Sequence, residues 1–324
     1  MSRYDAVIIG GGAAGLSAAL VLSRARRAVL VVDAGAPRNA PARQMYGYLS
    51  RDGLPPAELL AAGRHEVESY GGVLVEDTVA DLVPDGPHGF WVLLADGRRI
   101  SARRLVVTTG LRDELPDIPG LRDRWARDVL HCPYCHGYEV RDRQLGVLGG
   151  TPGAVRYAHI VRQWTHDLVY FTPPDLLSPD ERNQLIARAV GIVEGTIEQL
   201  VIDGSDHLRA VQMQDGRAIP RDALFVPPRF VPNNPLLVGL GCDVDAEGWV
   251  TVDGTGRTSV PGVWAAGNLV DPRAQVITAA GAGSAAAIAV NAALVEDDVR
   301  QAVRDLDHGI PLPSSPSTHH KEQR

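Results

Sequence analysis

The fold of this chain is decided by the stretch Ala6-Val7-Ile8-Ile9-Gly10-Gly11-Gly12-Ala13-Ala14-Gly15. Its four leading apolar residues predict a buried parallel strand, and the helix formers of residues 13–26 predict a helix directly after the glycines. A second apolar run, residues 28–32, predicts another strand and ends in Asp33. This order of elements is the dinucleotide-binding fingerprint, in which Asp33 would bind ribose hydroxyls. The alternative interpretation of Asp33 is an acidic residue that ends a strand and binds no ligand.

Each glycine of the fingerprint has a predicted task in holding a dinucleotide. Gly10 would make the tight turn, Gly12 would let the backbone approach the pyrophosphate, and Gly15 would let the helix pack closely on the strand. The helix would begin at Ala13 and Ala14, whose free N–H groups and positive dipole end suit phosphate groups. The loop therefore predicts a cofactor with a pyrophosphate.

The bulk composition excludes several classes of protein. A length of 324 residues favours two domains, and a net charge of −7 argues against a nucleic-acid or anionic-membrane partner. Only three cysteines are present, so we expect a reducing, cytoplasmic location and no secreted disulfide framework. The first apolar run leads into the glycine loop and is not a signal peptide, and no run of ~18 apolar residues predicts a membrane span.

The second informative stretch is His131-Cys132-Pro133-Tyr134-Cys135-His136. A C-x-x-C spacing lets two sulfurs form and break a disulfide, and one thiol of such a pair typically has a pKa of about 7. His131 and His136 flank the pair and bring a proton donor and acceptor within reach of either sulfur. Downstream of a dinucleotide fingerprint, this motif predicts redox catalysis by Cys132 and Cys135.

Simpler interpretations of these side chains stay open at this point. The cysteine pair could be half of a zinc site, but such a site needs four ligands and only Cys242 remains, far away in sequence; no metal site is predicted. Cys242 itself is expected to be a small buried apolar residue. His131 and His136 could be ordinary surface histidines, although their positions beside the cysteines favour catalysis.

The middle of the chain predicts a second, weaker copy of the nucleotide-binding unit. Residues 145–148 predict a strand, a glycine loop follows, a helix is expected up to residue 164, and residues 168–171 predict the closing strand. In this copy Thr151 replaces the second glycine, and no acid or arginine pair follows the closing strand. A relaxed NADPH site and a lost one are both open from these residues.

Five further segments complete the predicted organisation. Residues 73–83 and 90–94 alternate like half-exposed strands, and residues 105–108 predict another strand. Residues 275–295 predict one long helix rich in small residues, and the sequence from residue 300 is polar.

Taken together, these motifs resemble the low-molecular-weight thioredoxin reductase family of flavoproteins, from Tyr4 to about residue 295. The resemblance implies an α/β fold with two Rossmann-like nucleotide-binding domains in three layers. It implies a discontinuous FAD-binding domain, residues 1–113 plus 231–298, and an inserted NAD(P)H-domain-like unit, residues 114–230, that carries the C-x-x-C. Residues 299–324 would form a polar tail.

The resemblance also implies roles for single residues. Cys135 would face the flavin and Cys132 would exchange with the substrate, while the helix that starts near residue 275 would point its N-terminus at the flavin ring. Beyond the fingerprint residues, the resemblance implies FAD contacts at eight further positions: Arg38, Gln44, Val79, Thr109, Gly110, Asn268, Gln275 and Val276. A homodimer is implied in the same way.

Departures from the family pattern narrow the expected activity. Ordinary members have Cys-Ala-Thr-Cys-Asp, whereas here His136 takes the place of the aspartate, and Asn268 replaces the aspartate of the second flavin motif. Thr151, the missing arginines after residue 171 and the pair Pro227-Pro228 alter the NADPH-binding part. The combination resembles the dithiol-oxidase branch, whose members close disulfides in natural products such as gliotoxin and holomycin and pass electrons from the flavin to oxygen.

The sequence thus predicts an FAD-dependent thiol-disulfide oxidoreductase, with a small-molecule dithiol as the expected substrate and oxygen as the expected acceptor. One alternative is an NADPH-dependent reductase that acts on thioredoxin or a similar protein. An alternative of another class is a flavin-bound redox sensor without turnover.

Overall fold

The computed structural model describes residues 3–86 and 89–308. The helices and strands of these residues are β1 (Arg3–Ile9), α1 (Ala13–Arg24), β2 (Val29–Asp33), α2 (Pro56–Ser69), β3 (Val73–Glu76), β4 (Val79–Pro84), β5 (Phe90–Leu94), β6 (Arg99–Val107), β7 (Leu111–Glu114), β8 (Val129–Leu130), α3 (Pro133–His136), β9 (Leu145–Leu148), α4 (Ala154–Val161), β10 (Leu168–Thr172), α5 (Pro179–Ala187), β11 (Gly191–Glu194), β12 (Ile197–Ile202), β13 (Leu208–Met213), β14 (Ala218–Pro220), β15 (Ala223–Phe225), β16 (Arg229–Pro232), α6 (Pro235–Gly239), β17 (Val263–Ala265) and α7 (Val276–Asp307).

The first unit is built on a sheet of order β3-β2-β1-β6-β5-β4, in which β17 also pairs with β6. The strands β3, β2, β1, β6 and β17 run parallel, and β4 and β5 add an antiparallel hairpin. Both faces of β1 are buried, because Ala6 and Ile8 face the layer of α1 and α7 while Val7 and Ile9 face the layer of the hairpin. A strand covered on both faces needs the continuous apolar run seen in the sequence.

Helix α7 closes the first unit by packing against α1. A Cβ atom at Gly283 would lie 1.9 Å from the carbonyl oxygen of Ala14, so the backbones of the two helices approach too closely for any side chain there. The buried residues of α7 are otherwise small or aliphatic: Ala279, Ala286, Ala287, Val290, Ala293 and Leu294. The small residues therefore serve the close crossing with α1.

By length and composition alone, α7 is apolar enough to cross a membrane. The sequence predicted no such segment, because only the shorter apolar run of residues 285–295 stood out. Packing against α1 accounts for the apolar character of the first half of the helix, as in the core helix of a water-exposed domain.

The second unit is inserted between β7 and β16, which pair antiparallel with Asp113 opposite Phe230. Its parallel sheet has the order β11-β10-β9-β15-β8, and a three-stranded antiparallel sheet, β12-β13-β14, lies beside it. The predicted second βαβ is present as β9, α4 and β10. The connecting strands β7 and β16 thus form the passage between the two units.

Several predicted elements differ in extent, and β6 begins at Arg99 where the sequence predicted a strand only over residues 105–108. The predicted run of residues 73–83 is two strands, because β3 joins the parallel sheet beside β2 while β4 turns away after Asp77 and Thr78 to pair with β5. The helix after residue 153 ends at Val161, three residues early. Helix α7 continues to Asp307, so the first residues assigned to the polar tail are helical; residues 309–324 lie outside the described part of the chain.

Candidate active site

The glycine loop between β1 and α1 has the close approaches that its residue types require. Gly10 has φ +102°, and a Cβ atom there would lie 2.6 Å from the carbonyl oxygen of Thr108. A Cβ atom at Gly15 would lie 1.9 Å from the carbonyl oxygen of Gly10, so only glycine lets α1 start so near the strand. A Cβ atom at Gly12 would meet nothing within 4 Å, so its backbone borders open space.

Asp33 closes β2 beside this loop and is anchored by protein groups. Its Oδ1 accepts a 2.9 Å hydrogen bond from the Gly11 N–H, and its Oδ2 accepts a 3.0 Å bond from Arg64. A carboxylate offers about four acceptor positions, so these two bonds leave room for ribose hydroxyls. Arg64, on α2, had no sequence signal that linked it to the site.

Two helix N-termini in the first unit suit negative groups. Helix α1 begins after Gly12 and α7 after Gln275; neither helix has a side-chain cap or an acidic residue in its first turn. The free N–H groups at a helix N-terminus, together with its positive dipole end, bind anions. With the open space at Gly12, these residues fit a pyrophosphate-containing cofactor whose other end reaches Gln275 and Val276.

The redox motif forms a disulfide between Cys132 and Cys135 at the start of the short helix α3. Pro133 is the first residue of α3, where its missing N–H costs no hydrogen bond. The N–H of Cys135 donates to the Sγ of Cys132 at 3.2 Å, a contact that would favour a thiolate at Cys132 after reduction. Both cysteines are half-buried and so remain accessible.

His136 lies at the end of α3, directly after Cys135. Burial lowers the pKa of His136 below its usual range, so the ring is neutral near pH 7 and can accept a proton. The ring of Tyr46 meets the His136 ring edge-on, with 6.3 Å between the two centroids. The Tyr46 hydroxyl donates a 2.6 Å hydrogen bond to Oε1 of Gln44, so this predicted cofactor residue is linked to the ring that meets His136.

His131 has a different environment on the other side of the cysteines. Burial, followed by the charge of Arg38, lowers the pKa of His131 to about 4. Its Nε2 lies 3.3 Å from Nη2 of Arg38, and its backbone carbonyl accepts a hydrogen bond from the Tyr157 hydroxyl. A buried ring whose outer nitrogen already faces a cation is a poor proton acceptor, so the predicted catalytic role of His131 lacks geometric support.

Several predicted cofactor residues meet at the end of the first sheet. Arg38 donates to Oδ1 of Asn268 at 3.5 Å, and Gly267 next to Asn268 abuts Ala14 of the glycine loop. The Asn268 side-chain amide donates to the carbonyls of Asp271 and Ala274, which shapes the turn before α7. This series of contacts connects the glycine loop to His131 and so to the redox motif.

The remaining predicted cofactor residues have contacts with protein groups that hold the local fold. Thr109 Oγ1 donates to the Asn233 carbonyl at 2.6 Å, and Gly110 turns the chain with φ +68°. Gln275 lies beside Gly47, because a Cβ atom added at Gly47 would be 3.2 Å from Oε1 of Gln275. Val79 is buried in the core between sheet and hairpin.

The nucleotide loop of the second unit is largely exposed, and its first two glycines contact β10 and the turn after it. A Cβ atom at Gly149 would lie 2.4 Å from the ring of Tyr170, and one at Gly150 would lie 3.4 Å from Pro173. The nearest arginine along the chain after β10, Arg182, pairs with Glu194 at the end of β11. Arg182 thus already has a partner, and the sequence has no arginine closer to the end of β10 on its C-terminal side.

Metal binding has no support in the part of the chain that the structure describes. No group of three or more His, Cys, Asp or Glu residues there is arranged to hold a metal ion. Cys242 is buried near Thr258, and burial raises the pKa of its thiol.

Sequence reasoning missed Asp113, Phe230, Tyr46 and Tyr157. All of them reach the redox motif or Arg38 only through the tertiary fold, at separations that no local pattern reveals.

Comparisons with known proteins identify the family of the chain. Residues 4–284 match the family described as Pyridine nucleotide-disulphide oxidoreductase. The "Thioredoxin reductase sirT" of Leptosphaeria maculans is 30% identical over 90% of this chain and 94% of its own, and the "Thioredoxin reductase tcpT" of Claviceps purpurea is 32% identical over 82% and 86%. The crystal structure of HlmI is 53% identical, covers 95% of this chain and 98% of its own, and superposes with a TM-score of 0.93.

The fold, the glycine loop and the redox disulfide thus define a nucleotide-binding disulfide oxidoreductase, and the chain belongs to the pyridine nucleotide-disulphide oxidoreductase family. Within that class it is a thioredoxin reductase-like, FAD-dependent oxidoreductase that acts on sulfur groups. The predicted family, the α/β class with two Rossmann-like units, and the FAD cofactor are confirmed.

Proposed function

We propose that this protein is a dithiol oxidase, which forms a disulfide in a small-molecule dithiol and uses oxygen as the final acceptor. The observation that carries the proposal is the Cys132–Cys135 disulfide with the neutral, half-buried His136 beside it. A cysteine pair that can form a disulfide, with a proton acceptor beside it, suits exchange with a thiol substrate that must ionise first. The altered nucleotide loop of the second unit, in which Thr151 replaces a glycine, supports the same direction, because it weakens the case for NADPH as donor.

The exchange steps follow from thiol chemistry. One substrate thiolate attacks the Sγ of Cys132, forms a mixed disulfide and releases Cys135 as a thiolate. The second substrate thiolate attacks the substrate sulfur of the mixed disulfide, which closes the product disulfide and releases Cys132. His136 accepts a proton as a substrate thiol ionises, because only the thiolate is the nucleophile.

The substrate has lost two electrons and two protons at this point, and the cysteine pair holds the two electrons. Bound FAD would supply the remaining chemistry, since a flavin can take two electrons from a dithiol and give them to oxygen as peroxide. The residues proposed to hold it are the glycine loop, Asp33 and the N-terminus of α7 at Gln275.

The substrate surface is supported by two exposed rings next to the disulfide. Tyr134 and Tyr138 each leave 64% of their area exposed, and Arg141 lies over the Tyr138 ring at 3.9 Å. Exposed aromatic faces bind compact, unsaturated ligands by stacking. A thioredoxin-like protein is the competing partner, and the relatives named thioredoxin reductases favour it.

The test is anaerobic stopped-flow mixing of the FAD-loaded protein with either NADPH or dithiothreitol as a small dithiol. We expect the dithiol to bleach the flavin absorbance quickly and NADPH to do so slowly or not at all, because a lost charge-assisted contact to a 2′-phosphate typically costs ~1.5–3 kcal/mol. Air should then restore the flavin colour and yield peroxide in step with disulfide. Cys132→Ser is the control that keeps the flavin and loses the dithiol route.

Two results would contradict this proposal. Rapid bleaching of the flavin by micromolar NADPH would support the alternative function of an NADPH-dependent reductase. Dithiol bleaching without repeated turnover in air would favour the redox sensor.

Assembly as a homodimer is also proposed, through the outer face of α7. Exposed apolar residues recur on this helix at alternating spacings of four and three: Gly281, Ala285, Ile288, Ala292, Val295, Val299, Ala302 and Leu306. This heptad pattern is typical of helices that pack against another helix. After Leu294 the helix has no buried residue, and a helical end so exposed gains stability from a second copy.

A reducing cytoplasm is the proposed location, because the cysteine content leaves no disulfide framework outside the catalytic pair. Cell fractionation with an antibody to the protein tests it.

A further inference from the structure

Arg38 lies where the two units meet and is held by a buried ion pair. Its Nε and Nη2 donate to the two carboxylate oxygens of Asp113 at 2.8 Å each. The Asp113 side chain is 9% exposed and that of Arg38 is 23% exposed. A planar guanidinium in such a two-point contact is fixed in direction as well as in position.

The same guanidinium contacts the other strand of the passage and the second flavin motif. Its centre lies 5.2 Å from the ring centroid of Phe230, which faces Asp113 across the β7–β16 pair. Its Nη1 lies 3.5 Å from Oδ1 of Asn268, on the turn before α7. Every nitrogen of Arg38 therefore faces a protein group.

The remaining contact leads to the redox motif. Nη2 of Arg38 lies 3.3 Å from Nε2 of His131, the residue directly before Cys132. A guanidinium can only donate hydrogen bonds, so Nε2 must accept, and the proton of the neutral ring sits on Nδ1. The rings of Trp125 and Phe230 enclose the imidazole at centroid distances of 6.2 Å and 5.4 Å.

We propose that Arg38 is a positioning residue: it fixes His131, and through it the segment that carries Cys132 and Cys135, against the flavin-binding unit. This inference rests on the proposed passage of electrons from the cysteine pair to the flavin. Arg38 belongs to the first unit, Asp113 and Phe230 to the two connecting strands, and His131 to the second unit. One side chain thus sets the position of the disulfide relative to the flavin-binding unit.

The test separates reduction of the disulfide from the following reduction of the flavin. FAD-loaded Arg38→Met is mixed anaerobically with dithiothreitol; free thiols are counted by quenched alkylation, and flavin absorbance is followed in the same time course. We expect normal thiol formation and flavin bleaching slowed by ~10- to 100-fold, since small misplacements of reacting groups cost that much. Asp113→Asn, which leaves the charge of Arg38 in place, should show a smaller defect of the same kind.

A pH profile distinguishes positioning from general disruption. In Arg38→Met, His131 would face Asp113 without the neighbouring cation, with His136 as the other titratable neighbour. The bleaching rate of Arg38→Met should then gain a titration between about pH 5 and pH 7 beyond the one that His136 gives in wild type. The double variant Arg38→Met/His131→Asn should lose this titration. Arg98→Met, which breaks an exposed ion pair of the first unit, is the matched control and should behave as wild type.

Three outcomes would overturn the inference. The flavin of Arg38→Met could bleach at the wild-type rate, or Arg38→Met could differ from wild type only in its FAD content. Alternatively, Arg98→Met could show the same decrease in bleaching rate. If Arg38→Met retains no flavin, the decision falls to Asp113→Asn by the same two measurements. If wild type itself is not bleached by the dithiol, the proposed oxidase fails, which is a separate result from any difference between variants.

Discussion

His131 and His136 stand on either side of the redox cysteines, yet their surroundings give them different proton chemistry. His136 is neutral because it is half-buried, and its ring meets only Tyr46 among the described aromatic contacts. His131 is neutral because it is enclosed and faces a cation. In the sequence each is adjacent to a cysteine, and His136 alone takes the place of the family's aspartate. Only the fold shows that Arg38 takes the outer nitrogen of His131.

Replacing His136 tests its role as the proton acceptor. His136→Ala should slow dithiol oxidation by ~10²-fold or more near neutral pH, the usual scale for a positioned proton transfer. The defect should shrink as pH rises, because substrate thiols then ionise without help. Steady-state rates from pH 6 to pH 9 measure this, with flavin content as the control for integrity. A defect of equal size at every pH would remove His136 from the mechanism.

His131 should make stability depend on pH. Its pKa is about 4 in the folded protein against 6.5 ordinarily, so the unfolded chain binds the proton more readily and stability falls as pH drops through this window. Between about pH 7.5 and pH 5 the loss should be about 2 kcal/mol. Denaturant unfolding of wild type and His131→Asn measures it, since Asn keeps an acceptor for Arg38 and does not titrate. Parallel stability curves would contradict this expectation.

At the scale of elements, the glycine loop was predictable, because two of its glycines answer a local steric demand and the third borders open space. Gly10 and Gly15 are forced by contacts within the loop and its neighbouring strand. The division of residues 73–83 into β3 and β4 was not predictable, since both halves alternate in the same way and only sheet partners separate them. The end of α7 at Asp307 was hidden by its polar last turns.

Two glycine substitutions separate cofactor binding from folding. Gly12→Ala fits the protein, because φ is −76° and the added methyl meets nothing within 4 Å, yet it fills the space for the pyrophosphate. We expect FAD content to fall by ~10-fold or more, with unchanged unfolding of the flavin-free form. Gly15→Ala should destabilise even that form by ~1–3 kcal/mol, since its methyl would overlap the Gly10 carbonyl. Flavin absorbance measures the FAD content of both variants, and denaturant unfolding measures their stability. Equal FAD content and equal stability in the two variants would refute the distinction between cofactor binding and folding.

At the scale of the whole molecule, the order of motifs along the chain predicted two nucleotide-binding units of one family, and the comparisons bear this out. What the sequence could not supply is the relation between them. Asp113 and Phe230 lie more than a hundred residues apart and meet across β7 and β16, and neither carries a motif. Asp113 and Phe230 come together with Arg38 only in the folded protein.

The outer face of α7 predicts the oligomeric state. Val299→Asp places a charge in the exposed apolar heptad stripe, where it would be desolvated in a helix–helix contact, so the dimer should dissociate at micromolar concentration. Arg304→Glu alters charge on the same helix away from the stripe and is the matched control. Light scattering after gel filtration gives the mass of each. A monomeric wild type, or a Val299→Asp variant that stays dimeric, would rule out this surface.

The insertion of one unit into the other has a consequence during synthesis. Residues 114–230 leave the ribosome as an uninterrupted segment with their own sheets, so this unit can fold on the nascent chain. The flavin-binding unit cannot, because α1 packs against Gly283 and β6 pairs with β17, both translated after the insertion. The side of α1 that meets α7 and the part of β6 that pairs with β17 therefore stay uncovered until those later residues are made. Because the flavin-binding unit takes residues from both sides of the insertion, we expect its cofactor site to be completed only after the inserted unit has been translated.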